Sequence, residues 1–110
     1  MTDEFKINLE HYDKAVVKLD HIQRKGKTSP YTSHNGHMFS ILRKDAVLGI
    51  RISDEERVDF EAKFGKAEFK NSGAVLKNYV TIPQELLEET EALAGYIQKG
   101  FEYVSTFKPK

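Results

Sequence analysis

"HNGHMFSILRKDAVLGIRIS", residues 34–53, contains two predicted chain reversals between apolar segments, and this pattern decides the fold. Asn35-Gly36 is the strongest short-range hairpin signal, because a type I′ turn needs positive φ at both central residues and this pair tolerates it. A second reversal is predicted at Lys44-Asp45. Together with the residues that precede Asn35, the stretch predicts three antiparallel strands joined by tight turns.

The position of the second loop predicts which side chains share a face of the sheet. With Lys44-Asp45 as the loop, Ile41 pairs with Leu48. Phe39 then pairs with Ile50, and side chains alternate between the two faces along each strand. The face predicted to contact the core consists of Phe39, Ile41, Leu48, Ile50 and Ile52. The opposite face consists of Met38, Ser40, Leu42, Val47, Gly49 and Arg51.

Apolar spacing and capping signals predict three helices around these strands. The first runs from Leu9 to Ile22. The second follows a capping box at Ser53–Glu56 and runs to about Phe64, before Gly65. The third begins after Thr90, a candidate N-cap residue, and continues almost to the end of the chain.

Two further strands, Ala67–Lys70 and Val75–Ile82, are predicted around a turn at residues 71–73. The element order is then α-β-β-β-α-β-β-α. This order predicts an α+β domain, with an antiparallel five-stranded sheet and helices mainly on one of its faces. The 110 residues suit one domain with a single core, covering residues 1–110.

Composition excludes several classes of function. Lys plus Arg and Asp plus Glu both number 17, so the formal net charge is zero, and nucleic-acid binding is not expected without a basic excess. The absence of cysteine excludes disulfides and thiolate nucleophiles. The apolar runs are too short to span a membrane, and the acidic Met1–Glu4 start is unlike a signal peptide, so a cytoplasmic location is predicted.

His34 and His37 close the predicted first hairpin, so their Cβ atoms should lie about 5.5 Å apart on one face. Imidazole is the commonest metal ligand, but zinc requires three or four ligands, and only Asp54 or Glu55 would be near enough to complete a set. The favoured interpretation is two histidines flanking a turn, with no metal and no cofactor. The alternative is a small-molecule or metal-binding domain, open to enzyme activity, with a pocket formed by Tyr31, His34, His37 and Tyr79.

Motifs for catalysis do not stand out in the sequence. No serine lies in a Gly-x-Ser-x-Gly turn, and the seven glycines are dispersed rather than gathered in a phosphate-binding loop. No catalytic residue is therefore predicted, and a non-enzymatic function is preferred.

The second face of the hairpins predicts a homodimer. It is half apolar and carries an arginine, and Tyr31 joins it, whereas a face exposed to water is normally polar. The predicted interface residues are Met38, Leu42, Val47 and Arg51. The alternative is that the helix from Asp54 to Phe64 covers this face.

Two segments, 35–53 and 73–110, closely resemble the TfoX/Sxy N-terminal domain family. The resemblance implies a secretion-chaperone-like α+β fold, and a regulatory role through contacts with a protein partner, of the competence or transcription type. It implies a stand-alone N-terminal-type domain, without the C-terminal helical domain of full-length regulators, and supplies no catalytic residues. The chain departs from the family at Lys27–Tyr31, where many members have a glycine pair. The residues that carry the resemblance are Asn35, Gly36, Met38, Phe39, Leu48, Ile50, Ile52, Lys77, Tyr79, Val80, Ile82 and Pro83.

Overall fold

The computed structural model describes residues 2–110. Within them, four helices accompany a four-stranded antiparallel sheet, of order β1-β2-β3-β6, and a separate two-stranded ribbon, β4-β5. The predicted α+β class with an antiparallel sheet is confirmed, but the sheet has four strands rather than five. The helices are α1 Asp3–Val17, α2 Asp54–Phe64, α3 Gln84–Leu87 and α4 Thr90–Val104. The strands are β1 Tyr31–His34, β2 His37–Leu42, β3 Leu48–Arg51, β4 Lys70–Asn71, β5 Ala74–Val75 and β6 Tyr79–Thr81.

Helix α1 begins six residues earlier than the apolar spacing predicts, because a polar signal sets its start. The Thr2 hydroxyl accepts a hydrogen bond from the Phe5 N–H at 3.1 Å, which satisfies one of the unpaired donors at a helix N-terminus. The helix ends at Val17, so its predicted extension to Ile22 is wrong. Its buried side chains are Phe5, Asn8, Tyr12, Ala15 and Val16.

Helix α2 is the element that local signals predict best. The Ser53 hydroxyl accepts from the Glu56 N–H at 3.2 Å, and the helix ends before Gly65, at φ 88°. The Glu56 carboxylate contacts Lys99 of α4 at 2.8 Å, although a complete capping box would turn it back to Ser53. The cap therefore starts α2, and an ion pair connects its first turn to α4.

A β-bulge in β2 shifts the register and moves Ser40 to the helix-facing side, whereas Phe39, Leu48, Ile50 and Ile52 lie in the main core as predicted. Thr32 pairs with Ser40 but Ser33 pairs with Met38, so Phe39 is the extra residue between them. Phe39 and Ser40 both lie on the helix-facing side, where Phe39 belongs to the main core and the Ser40 hydroxyl bonds to Tyr12 of α1.

The loop between β2 and β3 also differs from the prediction. Arg43 and Val47 close a three-residue loop in which Ala46 has φ 72°, in place of a two-residue loop. Leu42 consequently pairs with Leu48, which was the predicted partner of Ile41. Leu42 is fully buried in the main core, so its predicted place on the opposite face is wrong, and Ile41 lies on that face instead.

The predicted strand Val75–Ile82 is interrupted at Asn78, which has φ 69°. Before this residue the chain forms the ribbon, whose turn at Ser72-Gly73 has φ 54° and 82°, as a type I′ turn requires. After it, β6 pairs with β3. The positive φ of Asn78 thus separates the ribbon from the main sheet.

The main core lies between the sheet and the helices. Helix α4 passes close to the sheet at Gly100, where a Cβ atom would lie 2.8 Å from the Arg51 carbonyl oxygen. Phe60 brings α2 into the same core, with its ring 5.3 Å from that of Tyr96 on α4. Most of the apolar area removed from water is therefore on this face of the sheet.

Three buried hydroxyl groups connect α1 to the sheet within this core. The Ser40 hydroxyl bonds to the hydroxyls of Tyr12 and Thr32, and none of the three residues is exposed. Burial raises the pKa of Tyr12 above its ordinary value, and the hydrogen bonds from Ser40 and Thr32 oppose that shift only in part. Asn8 adds a second buried link, donating to the Ala46 carbonyl oxygen at 2.9 Å.

Candidate functional site

The two hairpin histidines lie at the tip of the sheet, packed against the C-terminal part of the chain. His34 and His37 are paired across the turn, as predicted. The ring of His34 lies 4.5 Å from that of Phe101, and the ring of His37 lies 5.0 Å from that of Phe107. His37 Nε2 donates to the Lys108 carbonyl oxygen at 2.8 Å. Both side chains therefore take part in holding α4 and the residues after it.

Tyr31 and Tyr79, the other two residues of the predicted pocket, lie elsewhere. Both belong to an apolar cluster on the face of the sheet opposite the main core, which we term the outer cluster. The Tyr79 hydroxyl donates to the Met38 carbonyl oxygen at 2.9 Å. Burial raises the pKa of Tyr79 to about 12, and the nearby positive charge of Arg51 opposes this shift. The four residues do not form one pocket. The outer cluster consists of Ile41, Phe69 and Tyr79, with Tyr31, Met38, Val47 and Leu76 half-buried around it.

Phe69 closes the outer cluster, and sequence reasoning missed it. Its ring lies directly over Gly49 of β3, where a Cβ atom would come within 2.5 Å of the ring carbons. The ring stacks on that of Tyr79 at 5.7 Å, and the guanidinium carbon of Arg43 lies 5.0 Å from its centre. A glycine inside a strand was the available signal, because it marks a place where another group approaches closely.

Of the predicted interface residues, Met38, Val47 and Arg51 are half-buried, and the first two surround the outer cluster. Leu42 belongs to the main core. The segment that carries Phe69, rather than α2, supplies the ring that covers Gly49.

An open cleft of about 300 Å³ lies between α2 and the ribbon. One wall is α2, and the other is formed by the residues that lead into and out of the ribbon. The apolar part of its lining comes from Phe69, Val75, Leu76 and Tyr79. The charged and polar part comes from Asp54, Arg57, Glu61, Lys66, Glu68, Lys77 and Asn78.

Arg57 holds the acidic groups of the α2 wall. Its guanidinium nitrogens lie 3.4 Å from the Asp54 carboxylate and 3.5 Å from that of Glu61. Asn78 also donates to Asp54 from the opposite wall. Within residues 2–110, neither Lys66 nor Lys77 has a carboxylate within ion-pair distance. Both lysines are exposed, so the ribbon side of the cleft presents free positive charge.

No protein-family model and no curated protein matches the chain. Across residues 2–110, no helix combines the length and apolar character needed to cross a bilayer. The same residues contain no cluster of three or more histidine and acidic side chains in a metal-binding arrangement.

Proposed function

We propose that this chain is a non-enzymatic, cytoplasmic regulatory domain that binds a protein partner, and that the cleft between α2 and the ribbon receives a short segment of that partner. The observation that carries the proposal is the combination of an aromatic and aliphatic lining with free lysines at the rim. Binding sites commonly combine an apolar surface with a few polar groups that fix orientation.

The charges on the ribbon side of the cleft favour an acidic segment. Arg57 and Asn78 already engage the carboxylates of Asp54 and Glu61. Within residues 2–110, Lys66, Lys77 and Glu68 have no ion-pair partner, so the ribbon side of the cleft carries a net positive charge. The lining as a whole, with three acidic and three basic side chains, is neutral. A segment with a bulky apolar side chain beside a carboxylate complements this lining in both shape and charge.

The two tyrosines whose pKa values are raised most are not placed to act as catalytic bases. Tyr12 is fully buried among hydroxyl groups, and Tyr79 donates to a backbone carbonyl oxygen. A tyrosine phenol is protonated at neutral pH at its ordinary pKa, and burial raises the pKa of both groups further. A catalytic base would require a pKa near the working pH and access to a substrate.

A relationship to the TfoX/Sxy N-terminal domains is part of the same proposal. Its support is the motif resemblance, together with the α+β fold with an antiparallel sheet. Several residues of the motif contribute to the fold itself: Asn35-Gly36 forms the hairpin turn, and Ile50 lies in the main core. The proposed role is regulation of the competence or transcription type, exerted by binding a partner.

Selection of binding peptides from a random displayed library tests the cleft. We expect the enriched sequences to place Asp or Glu beside a bulky apolar residue. The charge-reversing pair Lys66→Glu with Lys77→Glu should weaken binding of a labelled consensus peptide by about tenfold or more, measured by fluorescence polarisation. The matched control, Lys6→Glu with Lys14→Glu on the exposed side of α1, has the same net charge and should bind as the parent does. Equal loss in both variants, or no enriched peptide, would refute the cleft as the binding site.

A homodimer is a second proposal, carried by the half-buried apolar side chains around the outer cluster. Tyr31, Met38 and Val47 lie on one face of the sheet, and a second copy of the chain would remove them from water. We expect the parent to be a dimer in size-exclusion chromatography with light scattering. Val47→Glu should give a folded monomer, while Val58→Glu, at an exposed valine of α2, should remain a dimer. A parent that remains monomeric at high concentration would contradict the proposal.

A further inference from the structure

We infer that Arg51 binds an oxyanion, meaning a carboxylate or phosphate group, beside the ring of Phe107, against which His37 also packs. This site is separate from the α2–ribbon cleft and does not depend on it. The guanidinium group of arginine suits such ligands, because its planar fork donates two parallel hydrogen bonds to two oxygens.

Arg51 differs from the other arginines in having no acidic partner in the part of the chain that the structure describes. Arg24, Arg43 and Arg57 each contact an aspartate at 3.4 Å or less. Within residues 2–110, no carboxylate lies within 4.0 Å of Arg51 or His37. The Arg51 Nε atom is buried and has no hydrogen-bond partner among these residues. Because Nε is buried, the nitrogens open to an oxyanion are the two at the end of the guanidinium, which can hold two oxygens side by side.

Aromatic rings hold the Arg51 guanidinium in place. Its central carbon lies 4.8 Å from the ring centre of Phe107 and 5.8 Å from that of Tyr103. Contacts of this kind orient a guanidinium without using its hydrogen-bond donors. The two terminal guanidinium nitrogens therefore stay available in a fixed direction, which reduces the entropy lost when an anion binds.

His37 lies against the same ring and adds to the site. Its ring packs edge-on to Phe107 at 5.0 Å, and Nε2 is occupied by the Lys108 carbonyl oxygen. Because Nε2 carries the donated proton, Nδ1 is an acceptor in the neutral ring and can donate to an oxyanion only when the ring is doubly protonated. The exposed side chain of Lys108 follows directly after Phe107 and adds positive charge.

Titration of the ¹⁵N-labelled chain with inorganic phosphate, acetate and a phosphoserine peptide amide tests the site and separates its sources. We expect saturable NMR shifts of the Arg51 Nε–Hε and His37 ring signals with at least one probe. If the peptide binds most tightly, the ligand is a phosphorylated segment; if inorganic phosphate binds most tightly, it is a free anion. If only acetate binds, the ligand is a carboxylate. Each of these results supports the proposal. Shifts that rise linearly without saturation for all three probes would overturn it.

Variants separate the site from general charge effects. Arg51→Gln should weaken the best probe at least tenfold, and Arg51→Lys, which retains the charge but not the fork, should weaken it severalfold. Lys14→Gln, which removes one positive charge from an exposed position of α1, should leave binding unchanged. If Arg51→Gln does not fold, Arg51→Lys and the parent titration still decide the matter. Unchanged binding in Arg51→Lys, together with shifts equal to those of the parent, would refute a role for the fork.

Discussion

Gly49→Ala is expected to lower the free energy of unfolding by about 2–3 kcal/mol, although it adds a single methyl group. The added Cβ atom would lie 2.5 Å from carbons of the Phe69 ring, which is closer than any side chain tolerates. The ring has little room to move, because it is stacked on Tyr79 and covered by Arg43. The strain must therefore displace Phe69 and open the outer cluster. Urea unfolding followed by circular dichroism measures the change.

Two comparisons isolate this contact. Gly95→Ala in α4 meets no heavy atom within 4 Å, so it should leave stability unchanged or raise it by about 0.5–1 kcal/mol. Phe69→Ala should cost about 3–5 kcal/mol, as expected for a buried aromatic ring. Gly49→Ala should then cost little when added to Phe69→Ala, because the group with which it collides is gone. Fully additive losses would show that Gly49 and Phe69 do not interact as described.

Alkaline solution is expected to unfold the protein through its buried tyrosines. Burial raises the pKa of Tyr79 from 10.0 to about 12, while in the unfolded chain this phenol ionises near 10. Above pH 10 the native state binds more protons than the unfolded state, so the free energy of unfolding falls as pH rises. The contribution of Tyr79 is complete below about pH 10 and is lost between there and about pH 12. The slope approaches about 1.4 kcal/mol per pH unit for each such group.

The variants Tyr79→Phe and Tyr12→Phe should each flatten this loss, because each removes one phenol whose pKa burial raises. Urea midpoints measured from neutral pH to about pH 12 provide the test. Leu42→Ala is the control, because it destabilises the main core by about 2–5 kcal/mol without removing an ionisable group. Its free energy of unfolding should be lower than that of the parent at every pH and should fall with pH at the same slope. A slope unchanged in both tyrosine variants would mean that these phenols are not responsible.

Local chemistry explains which parts of the fold were predictable. The Asn35-Gly36 turn has φ 56° and 81°, and helix α2 begins at its serine cap, because neighbouring residues determine both features. The Phe39 bulge and the Ala46 loop were not predictable from alternation. A register shifted by one residue still places apolar side chains on both faces, since the second face is also covered.

The candidate sites depend on contacts between residues far apart in the chain. For this reason some of their residues were placed correctly from the sequence and others were not. The pairing of the two hairpin histidines followed from the turn alone. Their packing on Phe101 and Phe107 did not, because it depends on where α4 ends. Phe69 was assigned to a strand from its neighbours, whereas its position over Gly49 depends on tertiary packing.

The two-stranded ribbon is attached to the rest of the molecule by few contacts. Two paired strands are not stable alone in water, and exposed Ala74 and Val75 add little apolar burial. Phe69, the half-buried Leu76 and the bond from Arg43 to the Lys70 carbonyl oxygen, at 2.7 Å, are its main attachments. We therefore expect the ribbon to open as a local unit before the rest of the fold. The ribbon forms one wall of the cleft, so a partner bound in the cleft would stabilise the closed ribbon. A change that makes the ribbon open more easily would therefore also weaken partner binding.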